Sequence, residues 1–431
     1  MRVAVIGAGI VGVTTAWELV QDGHEVTVFD RHASVAAEAS FANAGVLAPG
    51  YVTPWSAPGM PGKVLLGLFS RHRAVRFGLR AWTEGSWLWR YLRACRSSTY
   101  LRHRTAMHAL ARYSVDRLGT MTRRHELDYE RTQGYLVLLR SARELDRVSR
   151  GKALLDELGV RSEVLDATRC RQIEPGLSGA TPLKGGLHLP EDRVGNCRQF
   201  AHQLTALARR QGVQFVFGRE VVSLGTSSRV SLQTRRVCAS GFEDAAPTDD
   251  AEQSFDAAVL CTGHQAADLL APLGLPLPVR PVHGYSLTAP LRESASLEES
   301  APRSGLMDER FKVAISRLGD RIRVAGSAEI GGHPEHMSPA ALRTLYRVLD
   351  DWFPGAAVMS RVQHWKGGRP MLPDGPPLIG ASGLPGVWLN LGHGSSGWAL
   401  SCGSARLLAD QLAGREPDVD PAVFQVSRLR L

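Results

Sequence analysis

Three glycines at fixed spacing near the N-terminus constrain the fold more than any other feature of the chain. Val3–Ile6 is a short apolar run of the kind a strand buried on both faces uses. Gly7-Ala8-Gly9-Ile10-Val11-Gly12 follows at once, then a helical pattern over Thr14–Val20, then a second strand over Glu25–Phe29 that ends at Asp30. Each part has a physical task. Gly7 permits the tight turn, Gly9 lets a pyrophosphate approach the backbone, and Gly12 lets the helix pack closely on the strand. The helix N-terminus offers free N–H groups to the phosphates, and Asp30 can accept hydrogen bonds from ribose hydroxyls. A lone GxGxxG is weak evidence. Here strand, helix and acid all fall in place, and the reading is a bound dinucleotide. The motif alone does not separate FAD from NAD.

With 431 residues the chain is long enough for two domains, and its 44 glycines suit many tight turns and close approaches of backbone to ligand. The formal charge of +9 comes mostly from arginine and fits an anionic partner or surface as well as no specific partner. Cys95, Cys170, Cys197, Cys238, Cys261 and Cys402 are scattered without a CxxC, which predicts reduced structural thiols in a cytosolic setting and no metal site. The apolar run to Trp17 imitates a signal peptide but carries ordered glycines and no small-residue cleavage site. No uninterrupted apolar stretch is long enough for a transmembrane helix.

After Asp30 the pattern departs from a simple doubly wound sheet. Glu38–Tyr51 is a loop of small residues, and Pro54, Pro58 and Pro61 exclude a regular helix beyond it. Residues 63–104 are basic and aromatic: Arg71, Arg73, Arg76, Arg80, Arg90, Arg93, Arg96, Arg102 and Arg104 stand against one acid, Glu84, with Trp82, Trp87 and Trp89 among them. Val75, Leu79, Trp82 and Trp89 would share one helix face. That face suits either an interfacial membrane helix or a helix pair packed on the body of the protein. Helices are expected near 104–125, 141–158 and Cys197–Gln211. Strands are expected at Gly134–Leu139, Gly186–Leu189, Val213–Phe217 and, as one unbroken element closing at Thr262-Gly263, Phe255–Leu260. Residues 225–254 read as a polar hairpin region. Tyr285–Thr288, Lys312–Ser316 and Arg321–Ala325 alternate like antiparallel strands. A second glycine-rich strand-to-helix turn, Gly392–Trp398, follows the strand Val387–Asn390 and opens a helix to about Leu412. No internal repeat is present.

Taken together, VAVIGAGIVGVTTAWEL, EASFANAGVLAPGYVTPWSAPG, GGLHLPEDRVGNCRQF, VHGYSLT, FKVAISRLGDRIRVAGSAEI, GGRPMLPDGPPLIG and LNLGHGSSGWALSCGS resemble the D-amino acid dehydrogenase small-subunit family, within the D-amino acid oxidase-like FAD-dependent oxidoreductases. The matches run almost from end to end in family order. The resemblance implies an α/β fold in which a Rossmann-like FAD-binding domain (1–60, 190–280, 361–431) is interleaved with an α+β substrate domain built on an antiparallel sheet (61–189, 281–360). It implies oxidation of a D-amino acid to an imine, hydrolysed to a 2-oxo acid and ammonia. Hydride would pass from the α-carbon to flavin N5 and the electrons on to a quinone or another acceptor. It places Val3, Ile6, Gly7, Ala8, Gly9, Ile10, Gly12, Asp30 and Arg31 at the ADP part of FAD and Ser40, Asn43, Ala44 and Gly45 along the cofactor. Thr262 and Gly263 would abut it, and Gly392, His393, Gly394 and Gly397 would sit beside the isoalloxazine.

In the same resemblance Arg369 holds the GxRP position and resembles the clamp for the substrate carboxylate, a planar donor fork matched to that anion. Tyr285 is the expected hydroxyl partner, while Tyr51, Lys312 and His393 are weaker pocket candidates. Gly368, Thr53 and Ser56 depart from the family pattern near the pocket and leave the side-chain preference open. No obligatory base stands out. Two other readings remain: an oxygen-using oxidase of glycine, sarcosine or a proline-type imino acid, and a non-catalytic flavin-binding protein. Nucleic acid is not an expected partner. The expected location is cytoplasmic, with or without peripheral contact through 63–104 on the inner face of the cell membrane.

Overall fold

The computed structural model describes residues 1–62, 74–78, 81, 84–237, 252–292 and 300–430. Arg2–Ile6 is apolar without alternation because both of its faces are covered. It forms the centre of a six-stranded sheet ordered Leu378–Ala381, Val387–Leu391, Ala257–Leu260, Arg2–Ile6, Glu25–Asp30, Gln214–Phe217. All neighbours in it are parallel except the Leu378–Ala381 edge. One face packs on the helices Ile10–Gln21, Ser97–Arg124, Cys197–Arg210 and Gly397–Leu412 through Val3, Val5, Val26 and Val28. The other, through Ala4, Ile6 and Leu260, packs on a three-stranded antiparallel sheet of Arg219–Thr226, Val230–Arg236 and Gln253–Phe255.

The helix core is crossed by a buried ion network. Glu18, 1% exposed, accepts from Arg117 and Arg406, and Arg406 also pairs with Asp22 and Asp410. The network joins three helices that are remote in sequence.

A ten-stranded sheet forms the second half. Its main path runs Gln363–Met371, Arg280–Pro290, Arg321–Ile330, Val313–Leu318, Gly305–Asp308, Thr132–Leu139, Gly185–Val194, Val46–Leu47. The short strands Val75–Phe77 and Glu163–Asp166 pair with it at the sides. One face packs on the helix Pro339–Trp352. The expected antiparallel strands are all present and longer than their alternation suggested.

Three expectations are corrected. Val75 is not helical: Val75–Phe77 adds parallel to Ala328–Ile330, and among the described residues of 63–104 helix is found at Gly85–Ala94 and from Ser97 onward. Arg71, Arg73, Leu79, Arg80 and Trp82 lie outside the described residues, as do Cys238 and residues 239–251 of the polar hairpin region, whose described part pairs antiparallel. Phe255–Leu260 is two strands rather than one. The chain breaks at Asp256, whose carboxylate accepts the Arg2 N–H at 2.7 Å, so that Phe255 joins the three-stranded sheet and Ala257 the parallel one. Gly186–Leu189 is part of a ten-residue strand, Gly185–Val194, whose polar Glu191 and Asp192 hid its length.

Candidate active site

Between the two large sheets lies a cavity of about 1190 Å³ lined by residues of both. At one end is the first glycine turn. A side chain at Gly12 would place its Cβ 1.8 Å from the Gly7 carbonyl oxygen, so helix and strand meet at a distance only glycine allows. The helix starts at Gly9 with no side-chain cap on its own residues, and Ser40 Oγ accepts the Ile10 N–H at 3.0 Å. Asp30 accepts from Ala8 N at 2.6 Å and His32 N at 2.8 Å; burial raises its pKa against those two bonds. Arg31 pairs with Glu38 at the rim. Ile6, Gly7, Gly9, Ile10, Asp30, Arg31 and Ser40 all line the cavity. Val3, Ala8 and Gly12 stand behind that wall and shape it without facing it.

The second glycine turn reaches the same cavity. Gly392 and Gly394 adopt φ of 79° and 58°, where a side chain is strained. The helix Gly397–Leu412 then begins with no side-chain cap. Asn43, Ala44 and Gly45 form the wall between the two turns. They are held by Arg323 to the Asn43 carbonyl at 3.1 Å, Ser316 to the Ala44 carbonyl at 2.7 Å and Gly195 N to the Gly45 carbonyl at 2.8 Å. Sequence reasoning missed Arg323 and Ser316, which carry no local motif. Thr262 Oγ1 is buried without a hydrogen-bond partner among the described residues, and Gly263 beside it lines the cavity. Uncapped helix starts, residues that exclude a Cβ and an orphaned hydroxyl suit a ligand with phosphates and a flat ring, which is how FAD would be held.

His393 is 3% exposed, hydrogen-bonds Ser404 Oγ at 3.0 Å, and is pushed down to about 3 by burial. It is therefore neutral at working pH and no proton shuttle.

Strand alternation decides the opposite end. Across the ten-stranded sheet Ala325 pairs with Ala314, Ala314 with Met307, Met307 with Val137 and Val137 with Leu187, giving one row of side chains on the cavity face. Ser286, in the same row, pairs with Trp365. Arg369 is four residues from Trp365 and so faces the same way. Its guanidinium lies over Gly284: a Cβ there would come within 2.5 Å of Cζ. A bulge sets the position. The three residues His283–Tyr285 face four, Gly326–Glu329, on the neighbouring strand, and Ser327 takes φ of 59°. Its carbonyl accepts Arg369 Nη1 at 2.9 Å. Burial pulls the guanidinium down to about 10, and no acid among the described residues lies within ion-pair distance of it. Gly284 and Ser327 are functional positions that a sequence reading cannot see, because neither carries chemistry of its own.

Tyr285 is not beside that guanidinium. It pairs with Lys366 and Gly326, one residue out of phase with Ser286, and therefore faces the opposite side of the sheet. Its ring is 1% exposed, its hydroxyl donates to Glu329, and Lys366 donates to the same carboxylate at 3.0 Å. The expectation that it grips a carboxylate together with Arg369 fails on this parity. Tyr51 and Lys312 do line the cavity, with Glu309, and the three satisfy one another. Glu309 accepts from Tyr51 at 3.0 Å and from Lys312 at 2.5 Å.

The sequence and the fold have counterparts among known proteins. A family model described as FAD dependent oxidoreductase matches residues 2–411. A D-amino acid dehydrogenase of Rhizorhabdus wittichii is 42% identical over 99% of this chain and 100% of its own length. One from Cereibacter sphaeroides is 43% identical over 99% and 95%. Among solved structures, glycine oxidase from Geobacillus kaustophilus superposes with a TM-score of 0.75 at 21% identity, covering 99% of this chain and 98% of its own. L-proline dehydrogenase from P. horikoshii gives 0.72 at 15% identity, covering 100% and 97%. At such identities the structures speak for the fold alone.

Proposed function

Since the chain belongs to the DAO family of FAD dependent oxidoreductases, we propose that it oxidises D-amino acids to imino acids, which hydrolyse to 2-oxo acids and ammonia. The observation that carries this reading is the Arg369 guanidinium, set in the cofactor cavity without an acid partner among the described residues. A half-buried cation with no acid partner is costly, and a substrate carboxylate would relieve the cost. FAD, when bound, supplies the hydride acceptor. The chain's own part is placement. Arg369 fixes the carboxylate, Ser327 and Gly284 fix Arg369, and the backbone N–H groups of the Gly392–Gly397 turn stabilise negative charge developing at the cavity wall. Burial keeps His393 neutral, so loss of the amine proton is left to water or to the electrostatics of the pocket. In this proposal the segments 1–60, 190–280 and 361–431 serve the cofactor and 61–189 and 281–360 the substrate, except that the strand Gln363–Met371, which carries Arg369, belongs to the substrate sheet.

Anaerobic addition of a D-amino acid to the flavin-loaded protein is expected to bleach the flavin absorbance, with the L-enantiomer inert. No bleaching across a panel of D-amino acids would end the proposal. The acceptor is a quinone or another carrier; stoichiometric peroxide in air would favour the oxygen-using reading instead.

The same proposal includes peripheral membrane contact. No helix among the described residues is long and apolar enough to cross a membrane. On Gly85–Ala94, Trp87 is buried, while Trp89 and Leu92 are 56% and 52% exposed and the Arg93 guanidinium lies 4.6 Å from the Trp89 ring centre. Apolar side chains flanked by arginine suit an anionic bilayer. Flotation with anionic liposomes at low salt tests this, and absence of binding there refutes it.

A further inference from the structure

The cavity has to hold a substrate as well as the cofactor, and beyond Arg369 its lining continues along one row of the ten-stranded sheet. From Gly284, under the Arg369 guanidinium, the floor crosses Ala325 and Ala314 before meeting Met307, three strand steps away. At about 4.8 Å a step this is roughly 14 Å of floor, the middle of it with no side chain beyond Cβ. Met307, Val137 and Leu187 continue the row, and Val148 and Leu155 of the helix Ala142–Glu157 line the cavity above them. Of the charged groups near this floor, Glu309 and Lys312 are paired with each other and with Tyr51, while Arg147, beside Val148, lines the cavity at its exposed side.

With the carboxylate at Arg369, an alanine methyl extends about one bond length, roughly 1.5 Å, from the α-carbon and leaves the Ala325–Ala314 floor bare. A benzyl or four-carbon side chain covers it and reaches toward Met307. Resting on the carboxylate-clamp reading above, we propose that the site takes D-amino acids with aromatic or long apolar side chains in preference to D-alanine, and that Ala314 and Ala325 determine this specificity by leaving the floor open.

Unreactive carboxylates test this on the flavin-loaded protein without turnover. Calorimetric titration with propanoate and 3-phenylpropanoate should give the phenyl acid a Kd roughly 10- to 100-fold lower, as burial of an aromatic side chain implies. In Ala314→Leu and Ala325→Val that ratio should fall toward one, since either side chain rises into the same space. Equal affinities in the wild type overturn the inference, and this comparison needs no variant to fold. A ratio unchanged in both folded variants overturns the assignment to Ala314 and Ala325. Arg369→Ala separates the two layers of the argument. If it binds both acids as the wild type does, the clamp itself is wrong. If it loses both while the wild type shows no preference for the phenyl acid, only the length inference is wrong.

Discussion

Replacing Gly284 by alanine adds one methyl group to a residue with no chemistry, and it should impair catalysis more than folding. The new Cβ would lie 2.5 Å from Arg369 Cζ and Nη2 and 2.6 Å from Nη1. Carbon and nitrogen in contact need about 3.5 Å, so the guanidinium must withdraw by roughly 1 Å. It cannot do so and keep both its hydrogen bond to the Ser327 carbonyl and its present aim. A displacement of about 1 Å at a positioning group costs on the order of 100-fold in rate. Loss of one charge-assisted hydrogen bond, about 1.5–3 kcal/mol, gives a similar figure of roughly 10- to 150-fold. Gly284 is not among the residues with positive φ, so the backbone accepts alanine and Tm should stay within about 3 °C of the wild type. The assay is anaerobic flavin reduction by stopped flow against D-amino acid concentration, with the melting curve measured on the same sample. The reasoning is refuted if kcat/KM stays within twofold, because the guanidinium would then not need the place that Gly284 keeps open.

Other perturbations read different parts of the molecule. Gly12→Ala should yield protein without bound flavin, seen as loss of absorbance near the flavin bands after purification, because its Cβ would overlap the Gly7 carbonyl at 1.8 Å. Arg406→Ala should cost about 3–5 kcal/mol in chemical denaturation, since it leaves Glu18 and Asp22 buried with one cation fewer; a loss below about 1 kcal/mol would show the network to be hydrated. Asp192 is raised from 3.8 to about 7 by burial, with only the Gly50 N–H and the Arg193 charge opposing. The folded chain therefore keeps a proton that the unfolded chain releases from about pH 4 upward, and stability falls from there to pH 7 and then levels off. Asp192→Asn should remove that slope, so its Tm advantage grows between pH 4 and 7 and is constant above; parallel melting curves at all pH values would contradict this.

The cofactor half was legible because its determinants are local. Gly7, Gly9, Gly12 and Asp30 lie within one strand–helix–strand unit, and the turn at Gly392–Trp398 repeats the logic. Arg369 was singled out through the resemblance of its GGRPMLPDGPPLIG segment, not from its residue type alone, and its role as a carboxylate clamp belongs to the proposal. The facing of Tyr285 was not, since an isolated aromatic in a strand fits either side of the sheet. Only the register with Lys366 and the bulge at Ser327 settle it, and both depend on residues some 40 to 80 positions away. Val75 was misread for the opposite reason: its helical spacing is real, but pairing with Ala328 outweighs it. Asp256 split a run that propensity joins, because a carboxylate meeting the Arg2 N–H ends one ladder and starts another.

The placement of Arg2–Ile6 at the middle of the parallel sheet has a consequence for how the chain is made. Arg2–Ile6 is made well before its partner Ala257–Leu260, and that partner before Val387–Leu391, about 380 residues further along than Ile6. Until Ala257–Leu260 has been made, the Val3–Ile6 segment has only Glu25–Asp30 to pair with and one open edge; afterwards the open edge passes to Ala257–Leu260. Contacts of such long sequence separation are slow to form. Synthesis thus leaves a sticky, half-paired strand exposed for most of its duration, a hazard that a chaperone or an early-bound nucleotide would relieve.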